Sequence, residues 1–142
     1  MMKEERQRLT RLRRLEKIRA IAKQTAAAEA AQAESTLSQL RTLSERTRRM
    51  ASDYANRRQL DDGAALHQLG RFVSGLQALT RTTDGDALRA QSIADAKQQQ
   101  LAEAERRRAA IEERAALQAR LIVKGSEQPV LGGRRASGTG LE

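Results

Sequence analysis

His67 is the only histidine in this sequence, so histidine chemistry has little to build on. A histidine–nucleophile dyad needs a nucleophile held beside the ring. A histidine metal centre needs further ligands, and the chain has no cysteine to supply them. His67 is therefore expected on a polar helix face near a turn. Asp84-Gly85-Asp86 places two carboxylates as a calcium loop would begin, but the further ligands of such a loop are missing, so a kink or local cap is the expected role. Neither a Gly-x-x-x-x-Gly-Lys-Ser/Thr phosphate loop nor a Gly-x-Gly-x-x-Gly fingerprint occurs. The sequence predicts no catalytic residue, no cofactor and no metal.

What remains is the chemistry of cations. The net charge of +9 is concentrated at the start: residues 1–23 hold 9 Lys/Arg against 3 acidic residues, whereas residues 61–123 hold 9 of each. Arg6, Arg8, Arg11, Arg13, Arg14 and Lys17 form an electropositive patch that would attract acidic protein surfaces, nucleic acid or anionic lipid. Arg106-Arg107-Arg108 lies among Glu103, Glu105, Glu112 and Glu113 and reads as a solvated, partly neutralised helix face. Nucleic-acid binding by the basic start has electrostatics in its favour. The absence of aromatic stacking residues and of an asparagine-led basic region disfavours it. Leu9, Leu12, Leu15 and Ile18 beside Arg8, Arg11, Arg14 and Lys17 also fit an interfacial amphipathic helix. The same residues open a coiled-coil seam, and that reading is preferred because the stripe continues far beyond them.

The elements that carry these residues are long helices. Not one Gly or Pro interrupts the first 62 residues, which are rich in Ala, Arg, Gln, Glu and Leu, the residues that lose least on becoming helical. At 1.5 Å per residue, ~55 helical residues make a rod of about 80 Å. Its expected apolar stripe is Leu9, Leu12, Leu15, Ile18, Ala22, Ala26, Ala30, Ala33, Leu37, Leu40, Leu43, Thr47, Met50 and Tyr54, a mean step of about 3.5 residues, which is coiled-coil spacing. Glu4–Arg8, Glu45–Arg49 and Asp53–Arg57 are spaced to pair on exposed faces.

Asp61-Asp62-Gly63 is the first break, with Gly able to end one helix and Asp to cap the next. A second stripe follows through Leu66, Leu69, Phe72, Leu76 and Leu79, then Ala87, Ala94, Leu101, Ala104, Ile111, Ala115 and Ile122. The expected architecture is all-α: helix 1 over about 3–60, a turn at about 61–63, and helix 2 over about 64–123, folded as an antiparallel coiled-coil hairpin. A helix unbroken across the Asp-Asp-Gly site and paired between chains is the competing arrangement. Gly125, Pro129, Gly132-Gly133, Gly138 and Gly140 mark 124–142 as a disordered tail. Only two aromatics, Tyr54 and Phe72, are present, which suits a slender Leu/Ala seam better than a compact core. No apolar run approaches the length of a membrane span, the start lacks a secretory core, and a cytoplasmic location is expected.

Several of these features together resemble the FliJ family of the bacterial flagellar type III export apparatus. They are the length, the basic Leu-rich start Leu9-Thr10-Arg11-Leu12-Arg13-Arg14-Leu15, the two-helix layout, and Leu69-Gly70-Arg71-Phe72-Val73 where the family often shows aromatic-x-Arg-Phe-Leu. Tyr54 fits an aromatic often seen shortly before the turn. Leu69 in place of the aromatic, Gly70 and Gly75 inside the helix, and Asp84-Gly85-Asp86 depart from the pattern. The resemblance covers about residues 3–123. It implies a non-enzymatic coiled-coil stalk inserted in the export ATPase ring, contacting the cytoplasmic domain of the export gate and export chaperones, and peripheral at the inner face of the cell membrane. Carried onto this chain, Arg6, Arg8, Arg11, Arg13, Arg14 and Lys17 would meet the ring, and Tyr54, Leu69, Phe72, Leu76 and Leu79 the gate and chaperones. An injectisome stalk would look the same. A basic coiled-coil nucleic-acid-binding protein and a generic structural coiled coil are the alternatives.

Overall fold

The computed structural model describes the backbone of residues 2–57 and 63–139, and the side chains of residues 2–57 and 63–126. Two helices account for nearly all of it: α1, Met2–Ala55, and α2, Gly63–Thr139. No strand occurs among the described residues. The helices pack on each other as an antiparallel coiled coil. The chain divides into two compact units, one of Met1–Ala26 with Leu101–Glu142, the other of Ala27–Gln100.

In the Ala27–Gln100 unit, the least exposed positions of α1 are Ala30, Ala33, Leu37, Leu40, Ser44, Thr47, Ala51 and Tyr54. On α2 the matching set is Leu69, Val73, Leu76, Thr80, Thr83, Ala87, Ala90, Ala94 and Lys97, with Ala65, Asp84, Gly85, Asp86 and Gln91 also half-buried beside it. Steps of three and four alternate throughout, the seven-residue repeat of knobs-into-holes packing. Leu37, Ala90 and Ala94 form the tightest cluster, with Ala33 and Leu40 against it. Small side chains there leave room for close helix approach. Antiparallel direction is fixed by contacts that descend α2 as they ascend α1: Lys97 to Glu29 (3.1 Å), Thr80 to Thr47 (3.0 Å) and Phe72 to Tyr54 (4.9 Å between ring centroids).

In the other unit the same repeat picks out Met2, Glu5, Leu9, Leu12, Glu16, Arg19, Lys23 and Ala26 on α1. Leu101, Ala104, Arg108, Ile111, Ala115, Gln118, Ile122 and Gly125 face them from α2. Gln118 Nε2 donates to the Glu5 carbonyl at 3.5 Å, and a side chain added at Gly125 would meet Met2 Sδ.

The seam departs from the expected stripe at specific places. Ile18, Ala22, Leu43 and Met50 of α1, and Leu66, Phe72 and Leu79 of α2, are exposed. Arg19, Lys23, Ser44, Ala51, Val73 and Thr80 stand at the adjacent seam positions. Choosing the most apolar residue at each step slips by one wherever a polar or smaller residue holds the frame. Once two helices lock into a seven-residue repeat, burial follows the frame and not the individual side chain.

α1 stops at Ala55, about five residues before the expected end. The Asn56 amide still reaches the Ser52 carbonyl (3.0 Å), but the Arg57 amide bonds only three residues back, to Tyr54 (3.2 Å). Arg57 instead lays its guanidinium 4.3 Å from the Tyr54 ring centroid. The expected turn at about 61–63 lies outside the described residues except for Gly63, which opens α2. Asp84-Gly85-Asp86 makes no break: α2 passes through it without positive φ. Past Lys124, where a tail was expected, Ser126 Oγ bonds the Val123 carbonyl at 2.8 Å. α2 is bounded at Thr139, and the rest of the expected tail lies outside the described residues.

Candidate functional site

Two surfaces carry the residues singled out by sequence. On the first, Arg6, Arg8, Arg11, Arg13, Arg14 and Lys17 are all exposed. With Met2, Glu5, Leu9, Leu12, Glu16 and Arg19 turned toward α2, helical geometry puts Lys3, Gln7, Thr10, Arg11, Arg14 and Lys17 on the opposite face. Arg6, Arg8 and Arg13 lie on its flanks. Among the described residues, no ion pair involves any of the nine cations of residues 1–23. Six described cations elsewhere do pair: Arg48 with Asp84 (2.9 Å), Arg49 with Glu45 (2.9 Å), Lys97 with Glu29 (3.1 Å), Arg108 with Glu112 (3.7 Å), Arg89 with Asp86 and Arg107 with Glu103; others among the described residues, such as Arg46, Arg71 and Arg81, do not.

The difference has a cause in the frame. Glu5 and Glu16, two of the three acids near the start, sit at half-buried seam positions, away from the basic face. The expected Glu4–Arg8 and Asp53–Arg57 pairs are not formed, whereas Glu45–Arg49 is. Arg19, held in the seam, has its Nε buried without a hydrogen-bond partner.

The second surface belongs to the Ala27–Gln100 unit. One flank of its seam is polar and cross-linked. Arg41 donates to Gln91, which bonds Asp95 (3.0 Å), while Ser44 and Arg48 both donate to Asp84. In an antiparallel pair, positions just after a seam residue share one flank and positions just before share the other. Leu43 and Met50 precede Ser44 and Ala51; Phe72 and Leu79 precede Val73 and Thr80. These four, each between 42% and 46% exposed, therefore line the opposite, apolar flank. Phe72 meets Tyr54 edge-on, with rings at 83°.

The expected contact set thus divides. Phe72 and Leu79 face outward, Leu76 is buried in the seam, and Leu69 and Tyr54 are half-buried there. Leu43 and Met50 join the outward pair and were absent from that set. Their signal lay in the spacing of seven between them, once the seam frame is known. No family model, curated protein or solved structure matches this chain. His67 is exposed on α2, and no cluster of His, Asp and Glu among the described residues is arranged to hold a metal ion.

Proposed function

We propose that this chain is a non-enzymatic coiled-coil component of a flagellar-type III export apparatus. It would act as a stalk within the export ATPase ring and as an adaptor to the cytoplasmic domain of the export gate and to export chaperones. Its place would be cytoplasmic and peripheral at the inner face of the cell membrane. The observation that carries the reading is the set Arg6 to Lys17, exposed and unpaired on one helix of an antiparallel hairpin. Shallow charged contacts with an acidic ring lumen need cations that are not already neutralised within the chain. The resemblance of the start and of Leu69-Gly70-Arg71-Phe72-Val73 to the FliJ family supports the same reading. The flank formed by Leu43, Met50, Phe72 and Leu79 suits the adaptor role, because apolar side chains at seven-residue spacing can receive a partner helix.

The test is to mix the purified protein with the export ATPase from the same genome and to measure binding and ATP hydrolysis. Binding with increased turnover, lost when Arg11→Glu and Arg14→Glu are combined, is the expected result. No binding to assembled rings at low salt would overturn the reading. For the adaptor role, Phe72→Ala should abolish gate binding while helicity and melting hold. A sharp fall in both would make Phe72 a packing residue instead.

A further inference from the structure

We propose that the outward face of α1 between Lys3 and Ile21 docks on an anionic bilayer surface. Lys3, Arg11, Arg14 and Lys17 share that face with Ile18 and Ile21, and Glu4 is its single acid. Ile18 and Ile21 are 61% and 63% exposed. They stand opposite the seam, so α2 cannot cover them, while the cations beside them have no ion-pair partner among the described residues. Because the seam is on the far side, a flat surface reaches the face without opening the hairpin.

Charge alone would fit any polyanion, and the two isoleucines decide between them. A bilayer takes the cations at its headgroups and branched aliphatic side chains at the acyl boundary. A nucleic acid would engage the cations but leave both isoleucines in water, and the face has no aromatic for base stacking. No described helix is long and apolar enough to cross a membrane, so the contact proposed is with the surface.

This inference does not rest on the export reading, although the two share Arg11, Arg14 and Lys17. The experiment below contains no export component, so each can fail without the other. Full-length protein is sedimented with vesicles of phosphatidylcholine alone and of phosphatidylcholine mixed with phosphatidylglycerol. Binding to the anionic vesicles should be at least about tenfold tighter and weaken with salt. Ile18→Gln with Ile21→Gln, which keeps helix propensity, should weaken it by about tenfold with unchanged circular dichroism. Ile93→Gln, an equally solvent-facing isoleucine of the other unit, should leave it unchanged. Equal binding to both vesicle types overturns the proposal. So does undiminished binding by the Ile18/Ile21 variant, which would mean adsorption by charge alone. Tighter binding to DNA than to anionic vesicles at equal phosphate would also overturn it, in favour of nucleic acid.

Discussion

Arg19 shows how one side chain can oppose the frame that holds it. It occupies a seam position between Glu16 and Lys23, and its Nε is buried with no acceptor. An unmet buried donor costs about 1–3 kcal/mol, so Arg19→Leu should stabilise the protein by about that amount. Thermal melting checks this; an unchanged or lower Tm would mean the guanidinium is satisfied after all. Asp84 has the opposite character. It accepts from Ser44, which is buried, and from Arg48 at 2.9 Å. The exposed Arg48 pair adds little, but Asp84→Ala strands the Ser44 hydroxyl and should destabilise by about 1–3 kcal/mol. Combining it with Ser44→Ala should restore much of the loss, a coupling that a double-mutant cycle in urea would read. At this scale the sequence was partly legible. The basic excess of the start and the balanced Arg106–Arg108 run both follow from local composition, whereas the failure of Glu4 and Arg8 to pair does not, and the role of Asp84 depends on a partner forty residues away.

At the scale of elements, helix identity followed from composition, and seam membership did not. The missing Gly and Pro, together with the Leu/Ala spacing, sufficed to place two long helices on either side of Asp61-Asp62-Gly63. They could not choose between Phe72 and Val73, or between Leu79 and Thr80, because a helix pair can bury either residue of each pair. Gly70 and Gly75 interrupt this region without a backbone need. Neither has positive φ, and an added Cβ would meet nothing within 4 Å. Gly70→Ala and Gly75→Ala should each raise stability by about 0.5–1 kcal/mol, since alanine loses less backbone entropy on forming helix. Chemical denaturation would measure it, and a loss on either substitution would mean that the bare backbone is in use. The buried hydroxyls of Thr47 and Thr80, bonded to each other at 3.0 Å, form a polar step in the seam. Thr47→Leu with Thr80→Leu should melt higher yet yield mixed oligomers by light scattering, because polar seam residues hold register and partner number at a cost in stability.

For the whole molecule, the decisive question is whether the two helices close on each other within one chain. The described contacts join α1 to α2 of the same chain, from Gln118–Glu5 to Phe72–Tyr54. Light scattering at low concentration should therefore give the 15.7 kDa monomer. Twice that mass at all dilutions would favour pairing between chains. Charge is also divided at this scale: among the described residues, none of the cations of residues 1–26 forms an ion pair, while in the Ala27–Gln100 unit Arg48, Arg49, Arg89 and Lys97 do. Raised salt should accordingly weaken binding of anionic partners far more than it lowers the melting temperature.

By itself, the sequence determined the fold class, the two-helix layout and the position of the basic segment. Each depends on local quantities: helix propensity, an apolar repeat near 3.5 residues, and charge counted along the chain. Only the tertiary structure decided which residues the seam buries, where α1 stops, which cations find acids, and that Leu43, Met50, Phe72 and Leu79 share a flank. The physical reason is that pairing imposes one seven-residue frame on both helices. Leu37, Ala90 and Ala94 pack tightly within that frame, and polar residues such as Ser44 and Thr80 occupy other positions it assigns.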